Sequence, residues 1–551
     1  MKQVYTFIVF TLLTFGSYGA NITVLNNNDA GTGSLRNAVA NVGVGDTVFF
    51  DVGINNSTII LLTPITIAND IVIFGPPILL GWVTTGIWPI VISGGNLTRV
   101  FSISSGATVS INWINITEGN VSTGAGILNS GTLELNYCRF YNNNCTVTSN
   151  NDQGGAALYN NTNGVATVNN CEFYDNTSNA PISNMSNGGA IFNRGVALDV
   201  NYSSFYGNIV SSPLSSRGGA IYNATTLNIN SSTFFRNECQ SPGVNKYGGT
   251  IANNSVTSIL NIRNSTITRG EALGGQGGNI WNQGTLQLEN TIVEKGNSQI
   301  GNDVFTTIGQ GVTVSLGNNI LMDSLFAAMT FIIGDTLIDP WIDTLKYNND
   351  AFTKTCSLLC GSPAVNAGNN VNAPALDQAG QARVFGGTID IGAYEAQSNT
   401  GGSIPMIYTV NVGLTTGSYT TYQWYLNGAV ISGASSQNYT PTVNGDYTVE
   451  VTDANGCSMI SSIFNMNNVG LGELNSYGIN VYPNPTENDL FISSKDVLSV
   501  TITNSLGATV KTFSIKAGEN QLDVSELTNG FYILQFVGED SFVGKTTFIK
   551  Q

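Results

Sequence analysis

No histidine occurs in the 551 residues. That removes histidine-dependent nucleophilic triads, imidazole-ligated zinc and the usual general base near neutral pH. Charge is nearly as scarce. Asp, Glu, Lys and Arg make up 10% of the chain, 19 basic residues against 35 acidic, for a formal net charge of -16. The basic residues form no cluster, and phosphate backbones are held by concentrated positive charge, so no nucleic-acid partner is expected. Low charge beside 42% hydrophobic residues argues for a packed fold and against disorder. No stretch of about eighteen uninterrupted apolar residues exists, so no transmembrane helix is expected. Proline is rare at 14 residues, whereas glycine reaches 63. The seven cysteines leave at least one unpaired in an exported chain, and Cys356 and Cys360 stand close enough in sequence to bridge locally.

The start of the chain is consistent with export. Lys2 precedes an apolar stretch over residues 4–15, and Ser17-Tyr18-Gly19 supplies small residues for a signal peptidase. Residues 1–20 are expected to be a cleaved signal peptide.

One short segment recurs after it. It reads Gly126-Ile-Leu-Asn129, Gly155-Ala-Ala-Leu-Tyr-Asn160, Gly188-Gly-Ala-Ile-Phe-Asn193, Gly218-Gly-Ala-Ile-Tyr-Asn223, Gly248-Gly-Thr-Ile-Ala-Asn253 and Gly277-Gly-Asn-Ile-Trp-Asn282. Its closing asparagines lie 29–33 residues apart. Behind each copy, apolar residues alternate, as at Leu198/Val200 and Leu227/Ile229. An apolar residue then precedes a turn residue by three: Phe140-x-x-Asn143, Phe173-x-x-Asn176, Phe205-x-x-Asn208, Phe234-x-x-Asn237, Ile267-x-x-Gly270 and Val293-x-x-Gly296. Alternation over a few residues marks half-buried strands, and Gly/Asn clusters mark corners. A repeat of two or three such strands cannot bury its inner face alone. Stacking at about 4.8 Å sets each Ile or Leu over its counterpart in the next repeat. The expected fold class is therefore all-β: a parallel β-helix, right-handed by the crossover rule. The paired glycines permit positive φ; the recurrent Asn tolerates the left-handed conformation, and stacked Asn side chains can hydrogen-bond along the axis. Segments 48–50, 58–62, 65–67, 71–74 and 100–103 read as earlier, less regular rungs. Gly33-Ser-Leu-Arg-Asn-Ala-Val39 reads as an N-terminal cap, and residues 298–397 as final rungs with a C-terminal cap.

The paired GGAI-like and FxxN elements resemble the repeats of polymorphic outer-membrane proteins. Gly33-Ser-Leu-Arg36, Ser362-Pro-Ala-Val-Asn-Ala-Gly368, Asp377-Gln-Ala-Gly380 and Gly386-Gly-Thr-Ile-Asp-Ile-Gly-Ala-Tyr-Glu395 resemble exported β-helix proteins with a choice-of-anchor region. The likeness covers residues 21–397. A polar linker, 398–405, follows. Residues 406–466 alternate as a β-sandwich, with Tyr422-Gln-Trp-Tyr-Leu-Asn-Gly428 running into an Asn-Gly turn and Gly445-Asp-Tyr-Thr-Val-Glu-Val-Thr452 as a late strand. They resemble an Ig-like module with Trp424 in its core and Tyr447 near its corner. Residues 478–551 resemble the C-terminal sorting domain of the type IX secretion system, through Val481-Tyr-Pro-Asn-Pro485, Leu506-Gly507 and Leu527-Thr-Asn-Gly-Phe-Tyr532. That resemblance implies the type IX secretion machinery as a partner, and passage across the outer membrane to the cell surface or the medium.

Parallel β-helices host polysaccharide lyases and hydrolases, so an enzyme must be weighed, on fold analogy alone. In the repeats, Glu134, Asp152, Glu172, Asp175, Asp199, Glu238, Glu271, Glu289 and Glu294 share no frame and form no paired acids. Arg217, Arg236, Arg263 and Arg269 fall at different rung positions. The denser set Asp303, Asp323, Asp335, Asp339, Asp343 and Asp350 lacks calcium-loop spacing. No catalytic residue, metal site or cofactor is therefore expected. Asp377, Asp390 and Glu395 are read as capping or turn residues. Tyr159, Phe192, Tyr222 and Trp281 recur beside the closing Asn and point outward by the period-two rule. They are candidates either for stacking on sugar rings or for packing under the long loops. The favoured function is a non-catalytic surface protein, adhesive or binding an extracellular polysaccharide, host or matrix surface. The alternative is a polysaccharide lyase or glycoside hydrolase.

Overall fold

The repeats stack as parallel rungs in a computed structural model, which describes residues 20–76, 90–148, 153–181, 184–243, 245–323, 329–349, 351–397, 405–410, 413–453, 458–466, 478–538 and 542–551. The signal-peptide expectation lies outside these residues. The chain divides into two compact units between Ser403 and Ile404.

The first unit is a parallel β-helix with four sheets, one more than the repeat suggests. Counted over the described residues, sheet one has twelve strands, from Asn21–Val24 to Met329–Thr330, and carries the alternating pairs. Sheet two has ten, including Arg139–Tyr141, Glu172–Tyr174, Ser204–Tyr206 and Thr233–Phe235. Sheet three has nine and carries the Ile-x-Asn segments. Sheet four is built from the intervening loops, as at Thr177–Asn179, Ile209–Ser211, Glu238–Gln240 and Glu271–Gln276. Short return strands such as Ser215–Arg217 pair in the same sheet.

Register follows the apolar positions. Ile191, Ile221, Ile251 and Ile280 are successive Cα partners in sheet three, all fully buried. In sheet two the rings of Phe140, Phe173, Phe205 and Phe234 stack at 4.7, 4.6 and 4.7 Å. The paired glycines work as expected. Gly218 has φ 68°, and a Cβ at Gly219 would lie 2.0 Å from the Gly249 carbonyl oxygen, so neither place admits a side chain.

The closing asparagines do not take the left-handed conformation. They form a buried amide ladder in which Asn129, Asn160, Asn193, Asn223 and Asn253 each donate to the next, ending on Asn282, at 2.8–2.9 Å. Positive φ falls instead on neighbouring corner residues such as Asn170 and Asn264. Asn193→Ala removes one rung and leaves the Asn160 amide with only the Ala197 carbonyl as acceptor. It is expected to cost about 1–3 kcal/mol in urea unfolding. A cost below about 0.5 kcal/mol would show the ladder to be energetically idle.

At the N-terminus, Leu35–Ala40 forms the expected short helix, capped by the Ser34 hydroxyl accepting from the Asn37 N–H. The C-terminal segment behaves differently from a simple end cap. After the last rungs, residues 341–396 run back along the flank of sheet two as a strap. Phe352 sets its edge against the stacked rings of Trp113 and Tyr137. Gln378 donates to the Ser203 carbonyl and accepts from the Thr233 hydroxyl. The cause is the outer face of sheet two, where Arg139, Glu172, Ser204, Thr233 and Thr266 form a buried polar column that needs partners. Arg139 and Glu172 pair at 2.7 Å, and the Tyr347 hydroxyl of the strap donates to Glu172. Cys356 is a buried free thiol, so the local bridge to Cys360 does not form.

The second unit contains small antiparallel sheets. In residues 408–466, a three-strand and a five-strand sheet enclose Trp424 and Tyr447, both fully buried. The Tyr447 hydroxyl donates to the Val443 carbonyl at 2.6 Å, and Asn427-Gly428 turns with φ 50° and 80°. Residues 480–550 form a three-strand and a four-strand sheet around Ile492, Val500, Leu534, Phe536 and Phe548.

Candidate binding groove

Each passage from sheet two to sheet four turns on one residue in the left-handed conformation. In successive turns these are Glu118, Asn142, Asp175, Gly207, Arg236, Arg269 and Lys295, with φ between 49° and 64°. The backbone there is hydrogen-bonded rung to rung, Arg236 N–H to Thr268 O and Arg269 N–H to Glu294 O at 3.2 Å. The side chains of Asn142, Asp175, Arg236 and Lys295 are exposed at these corners, and those of Glu118 and Arg269 are half-buried. This column is the third slot of the FxxN motif, and it runs from acidic to basic along the axis. Arg236, Arg269 and Lys295 are therefore stacked in one frame, which corrects the expectation that the arginines of the repeats fall at different positions. Arg217 and Arg263 do lie elsewhere, Arg217 over the Tyr247 ring and Arg263 paired with Glu289 at 3.0 Å.

The adjoining column of sheet four also corrects the sequence reading. Ile209, Glu238, Glu271 and Asn297 are successive register partners, so two glutamates stack after all. Between the columns lies a groove of about 540 Å³ lined by Asp175, Arg236, Glu238, Arg269, Glu271 and Lys295, among others. Both guanidinium groups pack against the Phe235 ring, 5.3 Å and 5.5 Å from its centre. Lys295 pairs with the buried Glu294 at 2.9 Å and with Asp339 at 3.3 Å. Burial disfavours its charge, but the two carboxylates outweigh that and hold the ammonium above the usual lysine range. Burial raises the Asp175 carboxyl, with Lys354 opposing. Glycine at 207 leaves room for that carboxylate, because a Cβ there would sit 2.6 Å from Asp175 Oδ1.

The aromatic candidates lie on another side. Tyr159, Phe192 and Tyr222 are register partners on the outer side of sheet three, with ring centres 4.8 and 4.6 Å apart. Trp281 follows beyond Ala252 and meets Tyr247. Their exposures are 5, 1, 5 and 7%, so the rings spend their faces on one another and on the covering loops. Stacking on a sugar requires an open face, and none of the four offers one here.

Asp377, Asp390 and Glu395 serve as turn acceptors around the fully buried Arg383, each receiving two backbone N–H bonds. Asp303 likewise accepts from the Gly296, Met322 and Asp323 N–H groups, and Asp335 from Asn319. Asp152 and Asp350 lie outside the described residues. Among the described residues, no group of three or more Cys, Asp or Glu is arranged to hold a metal ion.

Comparison with known proteins bears first on the C-terminus. Residues 480–550 match the family described as the secretion system C-terminal sorting domain. The chain ends in a type IX sorting domain. It is therefore exported through the type IX machinery to the cell surface or the extracellular space. No helix of the described residues is long and apolar enough to cross a membrane. No curated protein matches the chain. Among solved structures it is similar to one titled "Crystal structure of pectate lyase Pel9A", at 15% identity over 68% of this chain and 96% of that one, with a TM-score of 0.35. That superposition is too loose to transfer any site.

Proposed function

We propose that the exported β-helix is a non-catalytic scaffold that binds an extracellular polymer, a polysaccharide or a matrix surface. The groove beside Arg236 and Arg269 carries this reading, because it follows the helix axis and its glutamates share one wall. Glycoside hydrolysis needs two carboxylates flanking the scissile bond. Glu238 and Glu271 are instead neighbours in one ladder that project to the same side, so as a pair they do not flank a bond lying between the two walls. In this reading Tyr159, Phe192, Tyr222 and Trp281 stiffen sheet three, and ligand contact belongs to the groove. Residues 1–20 serve as the signal peptide, 21–397 as the β-helix with its caps, and 406–466 as an Ig-like spacer ahead of the sorting domain.

A second reading has one observation in its favour. Carboxylates and guanidinium groups do converge in a single groove, as a polysaccharide lyase or hydrolase requires. Residues 21–551, incubated with a panel of polysaccharides, separate the two when retention and chain cleavage are scored independently. Retention without cleavage is expected. Cleavage of any polymer, lost on Glu238→Gln or Glu271→Gln, would replace the scaffold reading by the enzyme.

A further inference from the structure

We infer that the groove between sheets two and four is a site for an acidic saccharide of the uronate type, whose carboxylates are taken by Arg236 and Arg269, with Lys295, already held by Glu294 and Asp339, extending the cationic column. The inference rests on the scaffold reading and narrows its ligand.

The cations are spaced by the fold itself. They occupy one corner of three successive turns, so they rise by about 4.8 Å each and span about 10 Å along the axis. A polymer lying along the groove meets one cation per turn. Arg236 and Arg269 form no ion pair among the described residues, although the chain is strongly acidic overall. Both guanidinium groups rest on the Phe235 ring. A cation–π contact at 5.3 and 5.5 Å leaves guanidinium N–H groups for a carboxylate, which a guanidinium can pair bidentately. Arg236 is exposed and Arg269 half-buried, so an anion reaches both without rearrangement of the rungs.

The rest of the lining decides which anion fits. Asp175, Glu238 and Glu271 share the groove with the three cations. A polymer that carries sulfates or phosphates where a uronate has hydroxyl groups would be repelled by them. A uronate offers a carboxylate flanked by hydroxyl groups. The cations take the first, and Glu238, Glu271 and Asn297 accept from or donate to the second. The mixed charge of the groove thus matches a ligand that is itself part anion and part polyol.

The test uses residues 21–551 with polygalacturonate, dextran sulfate and neutral dextran as probes, binding being measured by retention and by titration at two salt concentrations. Polygalacturonate is expected to bind best. The Arg236→Ala/Arg269→Ala pair is expected to weaken it at least tenfold while the thermal unfolding midpoint stays put. Glu238→Ala and Glu271→Ala separate recognition from simple attraction. If the carboxylates accept hydroxyl groups, their loss weakens polygalacturonate binding; if the groove only attracts charge, their loss strengthens it and the inference fails. Dextran sulfate binding as well as polygalacturonate would overturn it in the same way. Retention of dextran alone, untouched by the arginine variants, would overturn the uronate assignment and leave the scaffold reading standing. Retention of none of the three, with other polymers of the wider panel retained, has that same consequence, and an empty panel removes both.

Discussion

Replacing Arg383 by methionine is expected to loosen the strap over residues 341–396 by about 3–5 kcal/mol at pH 8, the scale for breaking a buried ion cluster from one side. Arg383 is fully buried. Its guanidinium donates to the Asp390 and Gly392 carbonyls at 3.0 and 2.6 Å and stands 3.8 Å from the Glu395 carboxylate. Methionine fills similar volume but leaves Asp377, Asp390 and Glu395 without a cation. Burial already pushes Glu395 up to about 8, and Asp377 and Asp390 up to about 6, against the opposing pull of Arg383 and the backbone N–H groups. These folded values lie above the unfolded carboxylate range, near 4. The stability they contribute is therefore fully present below about pH 4 and is lost as pH rises through 6 to 8. The native strap should accordingly be tighter at pH 5 than at pH 8. Without Arg383 the ionised forms lose their compensating charge, so the gap between the two pH values widens.

Cys356 reports the opening, because its thiol is buried inside the strap. Its alkylation, resolved by peptide mapping and normalised to a free thiol at each pH, should rise on the order of a hundredfold or more at pH 8 in Arg383→Met. The rise at pH 5 should be smaller. A variant more damaged at pH 5 than at pH 8 would reverse the sign and refute the electrostatic account.

The rungs were legible where stacking dictates composition. An inward position one turn away must hold a residue of matching shape, so Phe140, Phe173, Phe205 and Phe234 recur at the repeat period. Sheet four left no such trace. Its strands are two to six residues long and polar, as in Thr177–Asn179 and Glu238–Gln240, and their partners lie a full repeat away. The groove was hidden for a related reason. The corner between sheets two and four constrains φ but not chemistry, and it accepts Asn142, Asp175, Gly207 and Arg236 alike. No hydrophobic period marks that column. Yet the signal was present, since the third slot of the FxxN motif holds Arg236, Arg269 and Lys295 in consecutive copies. The strap depended on pairings more than a hundred residues apart, such as Gln378 with Ser203, which no local pattern encodes. The aromatic column was correctly turned outward by alternation, but alternation says nothing of the loops that cover it.

Phe173→Ala carries the second large expected effect, about 3–5 kcal/mol, because Phe173 is an inner member of the four-ring stack. It meets Phe140 at 4.7 Å and Phe205 at 4.6 Å, both within 2° of parallel. Truncation opens a cavity in the core and removes two ring contacts at once. Phe234 ends the stack, with Phe205 on one side and Ile267 as its register partner on the other. Phe234→Ala removes a comparable volume but a single ring contact. It should cost less by roughly one aromatic pair, about 0.5–1.5 kcal/mol. Urea unfolding of both variants measures the difference, and an equal or greater loss at Phe234 would mean that the rings fill space without stacking energy of their own. The same pair links the core to the groove. Each turn of a solenoid is held chiefly by its neighbours, so damage stays near the turn that carries it. Phe234 lies two residues from Arg236 and beside Phe235, which supports both arginines. The milder variant for stability should thus be the more harmful one for polygalacturonate retention, an inversion that follows only if rung packing sets the spacing of the cations.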